Sequence, residues 1–338
     1  MDKGQNTMAF FPDIRCYNGM KSPENLSNLG MGLKGIKMEY TNFEQIMERV
    51  KTSSNPKRMA VAQAADPHSI EAALEGRRTG MAHPILVGDK SKILSLLQEL
   101  GETVDDIYDE ADPAAACRLA VSLIREGKAD FLMKGNVDTS VLMKAVIDKS
   151  TGLMKGGLLS HFAIFQISGY HKLLSVVDAG VVPYPTLEQK RGIIENAVQA
   201  MRSIGYECPK VAVLACIEKV NPKMPETVEA AELQRMNLSG EIQNCLINGP
   251  ISYDCAISSS IAEIKGYTGT VSGDVDILSV PNIHAGNILV KALVCTGGAK
   301  MAGTVLGAAC PIVLASRGSS AEEKFLSIAL SSAISGSA

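Results

Sequence analysis

No tryptophan occurs anywhere in this chain, and only seven phenylalanines and eight tyrosines are spread over its 338 residues. That scarcity excludes a stacking platform for single-stranded nucleic acid, which needs a ring face for successive bases. It also leaves the core to be packed by aliphatic side chains. An excess of charge is missing too. The 33 Lys and Arg against 36 Asp and Glu leave a formal net charge of -3, so no general affinity for nucleic acid or an anionic membrane is implied. None of the eight cysteines forms a C-x-x-C pair, and several lie inside apolar runs. That is the usage of a reducing compartment, where cysteine behaves as a small hydrophobe. The five histidines are scattered, and His284 has no second His or carboxylate at ligand spacing, so no metal site is expected. No apolar run reaches the roughly twenty residues of a membrane span. The N-terminus lacks the basic start and apolar stretch of a secretory signal. The expectation is a cytoplasmic protein that needs neither membrane nor nucleic acid.

What is present is a long, balanced chain: 46% hydrophobic and 20% charged residues over a length sufficient for two domains. Residues 1–40 are polar, rich in Asn, Gly and Ser, and without a sustained period, which indicates a flexible N-terminal extension. Gly30, Gly32 and Gly35 match G-x-G-x-x-G. SPENLSNL precedes them and is no buried strand, so the dinucleotide context is missing.

From Asn42 onward strand-like aliphatic runs alternate with helical ones: FEQIMERV, MAVAQAAD, SIEAALEGRRTG, HPILVGD, KILSLLQEL, PAAACRLAVSLIREG and ADFLMKG. This alternation predicts an α/β fold with a parallel sheet covered on both faces. The loop after ADFLMKG is a Gly-containing polar turn before the helix VLMKAVIDK. Lys134 at the strand end and the helix start can receive a phosphate-bearing ligand, with Gly135 and Asn136 in the turn and Thr139 or Ser140 as cap. The same residues also fit an ordinary βα turn with a solvated lysine. Glycines cluster at 152–157, and the pattern then changes. HFAIFQI and KLLSVVDAGVVPYP are joined only by Ser168, Gly169 and Tyr170, which suits a hairpin. The expectation is a second α/β domain, residues 155–299, inserted into a first one made of 41–154 and 300–338. Inside the insertion, GPISYD places Asp254 at the head of an apolar helix. PNIHAGN opens the returning helix, with Asn287 in its first turns.

The last forty-odd residues carry the strongest signal. Ile312 to Ala315 are strand-like, Ser316, Arg317 and Gly318 form a small polar loop, and a helical run extends from Ala321 to Ile334. Ligands of α/β units sit beyond the carboxyl ends of the strands, where this loop offers a hydroxyl and a guanidinium fork. Ser319 with Glu322, or Ser320 with Glu323, also fits a capping box.

LMKGNVDTS, DAGVVPYPT, NGPISYDCAIS, PNIHAGNILVKAL and GTVLGAACPIVLASRGSS occur in this order. From about residue 42 to its end the chain resembles the phosphate acetyltransferase and phosphate butyryltransferase family, and GNVDTSVLMKAV looks more like the butyryltransferase branch. The resemblance implies a two-domain, three-layer fold like that of isocitrate and isopropylmalate dehydrogenases, with the active site in the interdomain cleft. It implies a homodimer that exchanges acyl groups between coenzyme A and phosphate, with acyl-CoA, phosphate and acyl phosphate as small-molecule substrates and no cofactor. In the acetyltransferases the serine of the SRG loop stabilises the tetrahedral intermediate, the arginine binds phosphate, and an aspartate seven residues after the serine is the base. Carried over, these are Ser316, Arg317 and Glu323, with glutamate in place of aspartate. The butyryltransferase branch often carries its carboxylate one residue earlier, where this chain has Glu322. Substrate-binding candidates are Lys134, Gly135, Asn136 and Thr139, with Asp254 and Asn287 in the inserted part. Two rival readings share these residues: a same-fold hydroxy-acid dehydrogenase, and a non-catalytic acyl-CoA binding protein. Asp178, Asp254, Asp274 and Asp276 lack the spacing of the metal cluster that the dehydrogenase needs.

Overall fold

The computed structural model describes residues 39–53, 55–314 and 319–335. The N-terminal extension with its glycine pattern, and residues Ser316 and Arg317, lie outside the described residues. The chain first lays down α1 (Phe43–Lys51), β1 (Arg58–Ala62), α2 (Pro67–Arg78), β2 (His83–Gly88) and α3 (Lys90–Glu99). Next come β3 (Ile107–Asp109), α4 (Pro113–Arg125), β4 (Phe131–Lys134) and α5 (Thr139–Val146). The middle of the chain forms β5 (Ser160–Gln166), β6 (Leu174–Val177), α6 (Leu187–Ser203), β7 (Lys210–Leu214), α7 (Pro225–Leu238) and β8 (Leu246–Ile251). It continues through α8 (Tyr253–Ile257), α9 (Ser259–Ile264), β9 (Ile277–Ser279) and α10 (Ile283–Lys291). Finally β10 (Lys300–Leu306), β11 (Ile312–Val313) and α11 (Ala321–Ser335) return to the first strands. Among the described residues no helix is long and apolar enough to cross a membrane.

All strands join one eleven-stranded sheet in the order β3-β2-β1-β4-β11-β10-β5-β6-β9-β7-β8. The first five in that order are mutually parallel. β10 and β5 are antiparallel to each other and to their outer neighbours β11 and β6. The last four are again parallel. Their direction is therefore opposite to that of the first block, and the two blocks have their carboxyl ends at opposite edges of the sheet.

The strands read as continuous aliphatic runs because both faces are covered. Met59 and Val61 of β1 pack on one face with Ile70 and Leu74 of α2, in an apolar cluster that also takes in residues of α1, α6 and α11. Ala60 and Ala62 face the other way, onto Ala116 and Cys117 of α4 and Leu142 of α5. A third cluster joins Ala163, Phe165 and Val176 to Cys255 of α8, Ala262 of α9 and Val290 of α10. Each fully buried Leu, Ile or Phe contributes about 1.5–3 kcal/mol of apolar transfer energy.

Several boundaries differ from the sequence reading. The run expected to be strand through Asp66 ends at Ala62, because Gln63 takes φ 58 and turns the chain. Asp66 instead caps α2. β3 and β10 carry no strand signal strong enough to read. The four-residue run from Ile312 yields only the two-residue β11. The helix opened by PNIHAGN passes into a π-helical turn at Ala292–Thr296.

Candidate active site

The connection from β1 leaves through α2 on one face of the sheet, while β4 continues into α5 on the other. β1 and β4 are adjacent and parallel, so their carboxyl ends flank a topological switch point, the place where open α/β sheets bind ligands. A cavity of about 520 Å³ lies there, lined by Asp66, His68, Lys134, Asn136, Val141 and Lys324 among others.

Local backbone chemistry shapes this crevice. Gly135 N donates to Ala62 O at 2.8 Å, and Asn136 N donates to Gln63 O at 2.8 Å. A Cβ at Gly135 would lie 2.2 Å from Gln63 O and 2.7 Å from Ala62 O. Only glycine lets the two strand ends approach this closely. Gly135→Ala is expected to cost about 1–3 kcal/mol through this overlap and to distort the loop. A urea midpoint lowered together with impaired turnover would be the result; wild-type stability would mean the loop can shift.

The Lys134 ammonium is not turned towards the crevice alone: Nζ donates to Gly135 O at 3.2 Å and to Val137 O at 3.0 Å, bracing its own loop. Thr139 is exposed in the first turn of α5. The cap position belongs to Asp138 rather than to Thr139 or Ser140, and it makes no side-chain cap hydrogen bond. On the other side of the crevice, Asp66 Oδ2 accepts from Ser69 N at 2.9 Å and from Ser69 Oγ at 2.7 Å.

At the start of α11 the two candidate carboxylates diverge, as neighbours about 100° apart on a helix must. Glu322 pairs with Lys300 Nζ at 2.8 Å. Glu323 accepts from Ser319 Oγ at 2.6 Å, and its backbone N donates to Ser320 Oγ at 3.1 Å. Of the two capping arrangements legible in the sequence, the backbone bond is therefore made by Ser320, and the Glu323 carboxylate bends back towards the segment that precedes the helix.

Asp254 and Asn287 are not brought to this edge. Asp254 follows β8 and Asn287 lies one turn into α10, which follows β9. Both strands point their carboxyl ends away from the Lys134 edge. Asp254 belongs to a separate polar cluster: its Oδ1 accepts from Ser252 Oγ at 2.5 Å, and Lys265 Nζ lies 2.9 Å from Oδ2. The Ser252 hydroxyl first, and Lys265 with it, hold the Asp254 carboxyl down to about 2. Glu218, Asp254 and Cys255 present donor atoms within 4.8 Å of one another, but Lys265 is also 3.1 Å from Glu218 and already supplies the cation. Asn287 is exposed on its helix.

Sequence reasoning passed over Asp66, His68 and Lys324 as site residues. An Asp-Pro-His triplet at the end of a buried strand, and a lysine directly after the candidate base, were the available signals. His161 on β5 is not among the residues that line this crevice. Its Nδ1 is enclosed without a hydrogen-bond partner, between Gly180 and Gly303. Burial holds its pKa below the usual imidazole value, opposed by the nearby Asp178 charge.

The sequence model described as "Phosphate acetyl/butaryl transferase" matches residues 92–332. The phosphate butyryltransferase of Clostridium acetobutylicum is 40% identical over 297 residues, covering 87% of this chain and 98% of that protein. The phosphate acetyltransferase of Thermotoga maritima is 42% identical over 290 residues, covering 86% and 98%. Among solved structures, a branched-chain phosphotransacylase from Enterococcus faecalis V583 superposes with a TM-score of 0.73 at 30% identity, covering 82% of this chain and 99% of its own. A 4-hydroxythreonine-4-phosphate dehydrogenase from Burkholderia phymatum, at 12% identity and a TM-score of 0.53, shares the fold alone. With more than half of its length matched by the family model and two relatives near 40% identity over almost their whole lengths, this chain belongs to the phosphate acetyl/butaryl transferase family.

Proposed function

We propose that this protein moves an acyl group between coenzyme A and inorganic phosphate, interconverting acyl-CoA plus phosphate with acyl phosphate plus coenzyme A, and that butyryl-like chains are its preferred cargo. The observation that carries this reading is the Glu323 carboxylate. It is held by Ser319 Oγ at 2.6 Å at the head of α11, one residue before Lys324, which lines the switch-point crevice. In the direction of acyl-CoA synthesis the coenzyme A thiol, with a pKa of roughly 8.5, gives its proton to Glu323. The thiolate attacks the carbonyl of the acyl phosphate, and the Ser316 hydroxyl donates to the oxyanion that forms. The C–O bond to phosphate then breaks, and Arg317 holds the departing phosphate through its bidentate fork. Glu322 is the weaker candidate for the base because Lys300 already engages it. Gly135 and Asn136 shape the crevice, and coenzyme A enters as a substrate rather than as a resident cofactor.

In this reading residues 41–154 and 300–338 form one domain and 155–299 the inserted one. The contiguous placement of β5, β6, β9, β7 and β8 at one end of the sheet supports that division. A homodimer completes the reading, and sedimentation equilibrium checks it.

The test is coenzyme A release from acetyl, propionyl, butyryl and branched thioesters in the presence of phosphate. One methylene is worth about 1–3 kcal/mol of discrimination, so butyryl-CoA should exceed acetyl-CoA in kcat/KM by at least about tenfold. The reverse order makes the protein a phosphate acetyltransferase, and no release at all makes it a non-catalytic acyl-CoA binder. With Arg317→Lys the KM for phosphate should rise and kcat fall, since an ammonium cannot reproduce the planar fork. Unchanged phosphate kinetics would remove Arg317 as the ligand.

A further inference from the structure

The switch-point crevice is lined by an acid, Asp66, as well as by the basic residues on its walls. An anion entering it is repelled unless a cation faces it. Lys134 does not serve freely, because its ammonium bonds the carbonyls of Gly135 and Val137. The lysine opposite, Lys324, lines the same cavity from the first turn of α11. It is half-buried, and its ammonium makes no hydrogen bond or ion pair with the described residues. It directly follows Glu323, and the rotation of about 100° per residue sends the two side chains to different sides of the helix. Glu323 turns to Ser319 while Lys324 lines the crevice. In the eight-residue α5, whose cap Asp138 lines the same cavity, Val141 N donates to Asp138 O at 3.0 Å, while the N–H groups of Thr139 and Ser140 make no hydrogen bond with the described residues and are left to an acceptor oxygen.

We propose that Lys324 is an anion-binding residue of this site, which holds phosphate oxygens between its ammonium and the open first turn of α5. The proposal rests on the acyl-transfer reading for the ligand class: the phosphate is either the inorganic substrate or a phosphate group of coenzyme A. Unlike Arg317, Lys324 acts as a point charge, and its contribution survives replacement by arginine in part but not replacement by a neutral side chain.

The experiment is calorimetric titration of the full-length protein and of Lys324→Met, Lys324→Gln and Lys324→Arg with inorganic phosphate, coenzyme A and dephospho-coenzyme A. Loss of a charge-assisted hydrogen bond is expected to weaken binding of one of these ligands by about tenfold in the neutral variants, with partial recovery in Lys324→Arg. Weakening for inorganic phosphate identifies the substrate itself as the anion. Weakening for coenzyme A alone identifies its 3′-phosphate, and equal weakening for both coenzyme forms identifies the diphosphate. Unchanged affinity for all three ligands in folded neutral variants overturns the proposal, and so does a wild-type protein that binds none of them. Binding is read without turnover, so a wild-type protein that binds phosphate through Lys324 but releases no coenzyme A would sink the acyl-transfer reading alone.

Discussion

Glu323→Gln lowers turnover at neutral pH by about 100-fold, the expected loss when a positioned general base is removed with its shape kept. The amide oxygen can still accept from Ser319 Oγ, now 2.6 Å from the carboxylate, so the helix start should survive. The pH dependence distinguishes loss of a base from loss of structure. A thiol with a pKa near 8.5 is about 3% thiolate at pH 7 and about 75% at pH 9. The deficit of the variant, measured with coenzyme A and acyl phosphate, should therefore shrink by about tenfold or more over that range. Glu322→Gln should leave kcat nearly unchanged, since that carboxylate is occupied by Lys300 at 2.8 Å. Should the two variants exchange behaviour, the base lies at 322. If both keep the wild-type pH profile, neither glutamate takes the proton.

Lys172→Met should destabilise the fold by about 3–5 kcal/mol, the range for removing one partner of a buried ion pair. Lys172 is only 1% exposed and lies at the start of the parallel block β6–β9–β7–β8. Its Nζ is 2.6 Å from Asp274 Oδ1 and 2.6 Å from Asp276 Oδ1. It also donates to the Asp274 carbonyl at 3.0 Å. Asp276 Oδ1 is enclosed and lacks a partner in hydrogen-bond geometry, so the ammonium is its charge compensation. Lys210, which begins β7, pairs with Asp274 as well, and its backbone N donates to Asp276 Oδ2 at 2.7 Å. With methionine at 172 the buried carboxylate of Asp276 loses that compensation. The loss should be visible as a lower urea midpoint. A change below about 1 kcal/mol would place this cluster with exposed pairs and contradict its burial.

Much of the local architecture is written in short stretches of chain. Thr186 with Gln189 forms a complete capping box at the head of α6, and Asp112 with Pro113 starts α4. The hairpin expected around Ser168, Gly169 and Tyr170 does join two antiparallel strands, but through the seven residues 167–173 rather than three. The strands missed are the weakly patterned ones. β3 is three residues long, and β10 mixes Lys, Gly and Thr with its apolar residues. β10 owes its strand state to pairing along its whole length with β5, more than a hundred residues earlier, a contribution no local window contains.

The site divides in the same way. By itself the sequence determined which groups are on offer: an SRG loop between a strand and a helix, two adjacent glutamates, and a Lys-Gly-Asn turn after a buried strand. Local spacing suffices for these, since caps, turns and periodicity act over a few residues. Only the tertiary structure decided which of them meet. Reversal of direction across the β10–β5 pair sends Asp254 and Asn287 to the edge opposite Lys134. Side-chain partners turn Lys134 onto its own loop, Glu322 onto Lys300 and Glu323 onto Ser319. The crevice then gathers Asp66, Lys134 and Lys324 from three distant parts of the chain. Sheet order and strand direction come from apolar surfaces packing over long sequence separations, and they fix which loops share an edge.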